Sequence, residues 1–303
     1  MSAVGLIRGR WLRLDAAPPE LLIVGGSLSV QCGGGLATIL IRGYGPLPVA
    51  AMRIIFGAAL LMLLRPVRLR GVGRSAVLSA LALGAILAAM NSFFYVALSR
   101  IPIGVAVTIE FWGPLALAVA GSRRRLDLVW VALAGAGIYV LAGGRLVADD
   151  AVGVVAAAAS GLCWAVYVVV GGRVARQWSD GRGLTLAMLM ASSLVLPVAL
   201  VGSDMRLLLS APAALAGGAV VALFCSAIPY TLEIAALRRL PAATFGVLMS
   251  LEPAIAAAVG FVMLGQVLRA PDLAAIVMVA LASAGASLSA RRLTAVPGEL
   301  ESV

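Results

Sequence analysis

Three carboxylates stand inside stretches that are otherwise apolar: Glu110, Glu233 and Glu252. An ionised side chain at the centre of a bilayer costs about 2.5 to 3.5 kcal/mol on insertion scales, so such acids usually face a cavity or a partner. Burial favours the protonated carboxyl and a neighbouring cation favours the ionised one. A group poised between the two can carry a proton or recognise a substrate ammonium. The chain has no histidine, which leaves carboxylates as its natural proton carriers. The plainer alternative is three protonated acids hydrogen-bonded within helix interfaces. Glu110 precedes Pro114 by four residues and Glu252 precedes Pro253 by one. These two prolines correspond in the repeat described below, so the two acids differ by three positions and keep about the same helical face.

Other polar groups share these stretches. Arg53 lies seven residues into an apolar run that begins at position 46, about 10 Å of helix at about 1.5 Å per residue. It either holds a substrate carboxylate or snorkels to the membrane surface. Gln31, Asn91 and Tyr95 are polar within apolar runs, and the last two are four apart on one face; they line a pocket or bond between helices. Trp112 adjoins Glu110, while Trp130 and Trp164 read as packing or interfacial aromatics. Pro102, Pro114, Pro229, Pro241 and Pro253 start, kink or break helices and free backbone groups that must find partners. Cys32, Cys163 and Cys225 are scattered singly and read as small packing residues, with no metal-ligand spacing. Gly33, Gly34 and Gly35 match no phosphate loop and suit close helix approach, and Asp127, Asp149, Asp150 and Asp272 fall at helix ends. No P-loop, GxSxG or HExxH is present, so coupling to ATP within the chain, a cofactor and a resident metal are not expected, and no enzyme site assembles.

The elements that must position these residues follow from composition. The 303 residues are 62% hydrophobic and 12% charged, against about 45 to 50% and about 25% in soluble proteins. A membrane protein is expected, with no room for a soluble catalytic domain. Apolar runs bounded by Arg, Gly and Pro fall at 20–40, 46–64, 75–98, 104–121, 126–143, 151–172, 184–203, 211–236, 242–264 and 272–290, giving ten expected transmembrane helices. The basic residues are all Arg. With the N-terminus inside, 17 of the 23 lie in the tails and loops on the cytoplasmic side and five outside, the bias that orients membrane proteins. Both termini are then cytoplasmic, and the arginines read as topology signals rather than a nucleic-acid surface. Residues 1–19 form a basic tail and residues 291–303 a second tail.

A shift of 139 residues lays Pro102 on Pro241 and Pro114 on Pro253, and matches Ala97, Leu98, Arg100, Ala118 and Gly121 with Ala236, Leu237, Arg239, Ala257 and Gly260. The stretch Asn91–Gly121 thus recurs, without a gap, at Tyr230–Gly260. It divides the chain into two five-helix halves, 20–145 and 146–290. Five is odd, so the second half enters the membrane from the opposite face. That is the inverted-repeat plan of secondary transporters, whose substrate sites lie near the midplane between the halves.

These features resemble the drug/metabolite transporter superfamily, with an EamA-type repeat in each half. The stretches SVQCGGGLATIL, MNSFFYVALSRIPIGVAVTIEFWGPLALAV, GLCWAVYVVVGGR and AIPYTLEIAALRRLPAATFGVLMSLEPAIAAAVGFVMLGQ are similar to the threonine/homoserine exporter subfamily of the bacterial inner membrane. The resemblance implies proton-driven export of small neutral amino acids by alternating access. It also implies a central cavity that places Gln31, Arg53, Asn91, Tyr95, Glu110, Trp164, Tyr230, Glu233 and Glu252 near substrate. Cys32 stands where a glycine is usual and Trp112 replaces a smaller residue, so Trp112 joins the substrate-site candidates. The expected partners are a small zwitterion, protons and the lipid bilayer, and a homodimer is left open. Efflux of other metabolites or drugs is the alternative within transporters, and a scramblase or structural membrane protein without a solute pathway is the alternative outside them.

Overall fold

The structure is a computed structural model and describes residues 17–113, 115–116, 125–141, 150–178, 181–202, 207, 209–229, 232 and 248–294. Among the described residues the chain is helical, with no strand. The helices are α1 (Pro19–Tyr44), α2 (Pro46–Leu64), α3 (Arg74–Leu98), α4 (Ile103–Glu110), α5 (Arg125–Leu141), α6 (Ala151–Gln177), α7 (Arg182–Gly202), α8 (Pro212–Ala222), α9 (Glu252–Leu264) and α10 (Ala270–Thr294). Five of them, α1, α2, α3, α6 and α7, are long and apolar enough to cross a membrane. Their outward faces are apolar as well, with Leu63, Val155, Val169 and Val201 all exposed, where a soluble helix would carry charge.

Sequence punctuation sets most of the ends. Proline occupies the first turn of α1, α2 and α8, where its missing N–H would have no helical partner anyway. Gly45, at φ 77°, makes the corner between α1 and α2, a left-handed backbone that suits glycine. Asp150 caps α6 by accepting from the Gly153 N–H and also pairs with Arg100 at 3.3 Å. Asp272 accepts from the backbone N–H of Arg269 at the start of α10. Pro102 is the residue before α4, and Pro253 sits in the first turn of α9; both stand at helix starts. Pro114 and Pro241 lie outside the described residues.

Three of the expected runs are interrupted among the described residues, and in 242–264 a turn at Ser250 and Leu251 precedes the start of α9 at Glu252. The apolar run 104–121 does not continue as one helix, because α4 closes at Glu110, a turn follows at Phe111, and helix resumes at Trp112. Pro114 explains the break: the amide that would bond the Glu110 carbonyl carries no hydrogen. The α8 run loosens into a π turn over Leu223–Ala227. Pro229 is the cause here, since it offers no N–H to the Cys225 carbonyl and its ring crowds that oxygen. Pro197, inside α7, was not singled out from the sequence.

Tertiary packing has a reciprocal pattern. Helix α1 lies on α8 and α6 on α3; α1 lies on α9 and α6 on α4; α2 lies on α8 and α7 on α3. Other packed pairs are α2 with α7, α4 with α9, α5 with α10 and α2 with α3. Close contacts repeat the pattern. A Cβ on Gly84 of α3 would collide with Met190 of α7, and one on Gly218 of α8 with Met52 of α2. Ser29 of α1 donates to the Phe224 carbonyl at 2.7 Å, and Ser160 of α6 to the Met90 carbonyl of α3 at 3.0 Å. The main core lies between these helices, with Tyr95, Ile54, Leu87 and Ile109 almost wholly buried.

Candidate functional site

Polar groups meet where α2, α3, the end of α4, α6 and the π turn converge. Glu110 is the last residue of α4, and its Oε1 accepts a 2.5 Å hydrogen bond from Ser160 of α6. The α4 break that follows Glu110 is held hard against α6. A Cβ on Gly161 would fall 2.5 Å from the Glu110 carbonyl oxygen, and one on Gly113 would fall on the Gly161 carbonyl. Only paired glycines permit this crossing. Trp112 ties the same crossing from outside, its indole N–H donating to the Ala158 carbonyl at 2.9 Å. Phe111 stands edge-on to Trp164 with ring centres 4.9 Å apart.

Arg53 turns inward rather than to the membrane surface. Its Nη2 donates to the Cys225 carbonyl at 3.0 Å, the oxygen to which Pro229 offers no N–H. Its guanidinium lies over the Tyr95 ring, 5.7 Å from the centroid, within cation–π range. Arg53 is within electrostatic reach of Glu110. A cation and an acid from the N-terminal helices α2 and α4 thus lie near one another, each held by a group from further along the chain, the Cys225 carbonyl and the Ser160 hydroxyl. The Tyr95 hydroxyl is buried and the guanidinium comes near it without closing a hydrogen bond. A buried hydroxyl left in this condition costs about 1 to 3 kcal/mol and suits a place where a ligand or water completes the set.

The other candidates fall as follows. Asn91 is buried one turn before Tyr95 and donates to the Leu87 carbonyl of its own helix at 2.8 Å. Gln31 is buried in α1. Glu252 is buried in the first turn of α9, the helix that packs on α1 and α4. Tyr230 and Glu233 lie outside the described residues. Sequence reasoning missed Ser160, which bonds Glu110, and the Cys225 carbonyl, which bonds Arg53. A lone serine in the Ala-rich start of α6 gives no pattern to notice, but proline at 229, which offers no N–H to the carbonyl at 225, is a readable signal. Among the described residues no group of three or more His, Cys, Asp and Glu side chains could hold a metal.

Known proteins match over almost the whole chain. Residues 151–288 match the EamA-like transporter family. The threonine/homoserine exporter RhtA of Salmonella typhimurium (strain LT2) is 36% identical over 94% of this chain and 96% of its own. RhtA of Escherichia coli (strain K12) is 35% identical over 90% of this chain and 92% of its own. A solved crystal structure with 21% identity covers 90% of this chain and 98% of its own at a TM-score of 0.58, a likeness of fold. These relatives are transporters, and the described helices make this chain a multi-pass membrane protein of the same kind. By sequence identity across nearly its full length, the chain belongs to the EamA-like transporter family and to the threonine/homoserine exporter subfamily within it.

Proposed function

We propose that this protein is a secondary active exporter of small neutral amino acids of the threonine/homoserine type, driven by protons and working by alternating access in a bacterial inner membrane. The observation that carries the reading is the cluster in which Arg53, packed on Tyr95, lies near Glu110, bonded to Ser160. A zwitterion needs one anionic and one cationic partner, and this cluster offers both. Arg53 suits the substrate carboxylate, since a guanidinium binds a carboxylate with two parallel N–H donors. Glu110 suits the substrate ammonium when ionised, and releases it when protonated.

Alternating access requires two arrangements of similar energy, and near-symmetric halves supply them. The reciprocal packing of α1–α8 with α6–α3 and of α2–α8 with α7–α3 supports a pseudo-twofold relation between residues 20–145 and 146–290. Ten spans, inverted halves and cytoplasmic termini complete the proposal, with the Arg distribution as their support. Glu233 and Glu252 remain proposed second carboxylates for the proton path.

A counterflow assay tests the substrate. Purified full-length protein in liposomes loaded with unlabelled threonine or homoserine is expected to accumulate the labelled amino acid transiently, and lysine or glutamate in the lumen is expected not to support this. Equal counterflow with drugs or nucleosides, and none with threonine or homoserine, would overturn the assignment.

A further inference from the structure

Ser160 has one hydroxyl hydrogen and two acceptors. Its Oγ lies 3.0 Å from the Met90 carbonyl of α3 and 2.5 Å from Oε1 of Glu110, and it is wholly buried at the α3–α6 seam. One hydrogen cannot be donated to both oxygens at once. The second contact must therefore be made by a hydrogen on Glu110 or be lost.

The geometry points to Ser160 as a positioning residue that transmits the protonation state of Glu110 to the α3–α6 seam. The inference rests on the reading of Glu110 as proton carrier. With Glu110 neutral, its carboxyl O–H donates to Ser160 Oγ, and the serine hydrogen goes on to the Met90 carbonyl. Every group is then satisfied, and α6 is bonded to α3. When Glu110 gives up its proton, the serine hydroxyl turns about its Cβ–Oγ bond and donates to the carboxylate. Charge-assisted bonds are roughly twice as strong as neutral ones, so the carboxylate wins the hydrogen and the Met90 carbonyl loses it. No covalent bond to serine changes; one proton leaves Glu110 and one hydrogen bond moves from between helices α6 and α3 to between α6 and α4. These helices belong to opposite halves, so the move exchanges one contact between halves for another.

The charged and titratable surroundings of Glu110 are specific. Arg53 of α2 and Cys163 of α6 are within its electrostatic reach. Tyr95 of α3 stands against Arg53, Glu252 opens α9, and Asp272 of α10 is tied to Arg269. Helix α5 carries Arg125, Asp127 and Tyr139, and α10 also carries Arg291 and Arg292. Ser160 touches both the Glu110 carboxyl and the Met90 carbonyl of α3.

The test compares two fluxes of labelled threonine in the same proteoliposomes: counterflow exchange without a gradient, and accumulation driven by an imposed proton gradient, each across a pH series. In Ser160→Ala the ratio of driven to exchange flux is expected to fall about tenfold, the scale of losing one charge-assisted hydrogen bond. The pH midpoint of driven flux is expected to move toward alkaline pH by about one unit, because the hydroxyl no longer favours the ionised acid. Ser160→Thr keeps the hydroxyl and is expected to restore ratio and midpoint. A wild-type ratio and midpoint in Ser160→Ala overturns the inference, as does a parallel fall of both fluxes that Ser160→Thr does not rescue. Glu110→Gln separates the two ideas. If it retains driven flux, the proton-carrier reading fails; if it abolishes driven flux while Ser160→Ala behaves as wild type, only the relay fails.

Discussion

Arg53 makes two contacts that only a guanidinium combines: it bonds the Cys225 carbonyl and stacks on Tyr95. A lysine ammonium is a point charge and cannot lie on the ring and reach the carbonyl in one pose. Arg53→Lys is therefore expected to lose about 1 to 2 kcal/mol of stability, seen as a lower melting temperature in detergent. Its KM for threonine in counterflow should also rise, since bidentate recognition of the carboxylate is gone. An unchanged melting temperature together with an unchanged KM would remove Arg53 from the site. The sequence marked Arg53 as an interior charge but left its direction open, because a long flexible side chain at that depth can reach either way. What decides the matter is Pro229, 176 positions further along, which offers no N–H to the Cys225 carbonyl, an acceptor that no local pattern near Arg53 announces.

At the scale of elements, the end of α4 shows how two glycines and a proline shape a site. Pro114 ends the helix at Glu110, and Gly113 with Gly161 lets the broken end press into α6 until backbone meets backbone. Gly161→Ala would put its Cβ 2.5 Å from the Glu110 carbonyl oxygen and 2.8 Å from the Trp112 indole nitrogen. The backbone must move to admit it, at a cost of about 1 to 3 kcal/mol. Gly135→Ala in α5 is the control, since nothing lies within 4 Å of its Cβ and the helix gains about 1 kcal/mol in propensity. Thermal unfolding in detergent is expected to place Gly161→Ala several degrees below wild type and Gly135→Ala at or above it; equal melting temperatures would contradict the crossing. Helix existence was legible from apolar runs and Pro–Gly punctuation. The crossing was not, because a glycine that abuts another backbone looks the same in sequence as one that faces lipid.

Over the whole molecule, the prolines and the packing give two different registers for the proposed repeat. Gly84 and Gly218 make matching contacts, as do the Met90 and Phe224 carbonyls, and each pair is 134 residues apart. The prolines Pro102 and Pro241 are 139 apart. The ungapped match that begins at Asn91 and Tyr230 therefore does not extend back along α8, where the counterpart of Asn91 by packing is Cys225. The C-terminal half carries extra residues after Phe224, and the π turn absorbs one of them. The consequence is an unequal pair of halves: where the first has Glu110, the proline-anchored register puts Met249 in the second. In the proposed plan the symmetry comes from apolar packing common to the two halves, which sequence patterns report well. The chemistry comes from the few positions at which the halves differ, and those are read only once the chain is folded.

The central claim, that a proton taken up and released at Glu110 drives amino-acid movement, has one direct measurement. Labelled threonine uptake is followed in proteoliposomes of wild type and Glu110→Gln, with and without an imposed proton gradient, alongside gradient-free counterflow. A gradient supplies about 2.3 kcal/mol per proton for each 100 mV, so wild type is expected to accumulate threonine severalfold over equilibrium, and Glu110→Gln, which lacks both the proton and the partner for the substrate ammonium, to show no gradient-driven accumulation. Accumulation by Glu110→Gln at the wild-type level, or wild-type flux indifferent to the gradient, would contradict the account.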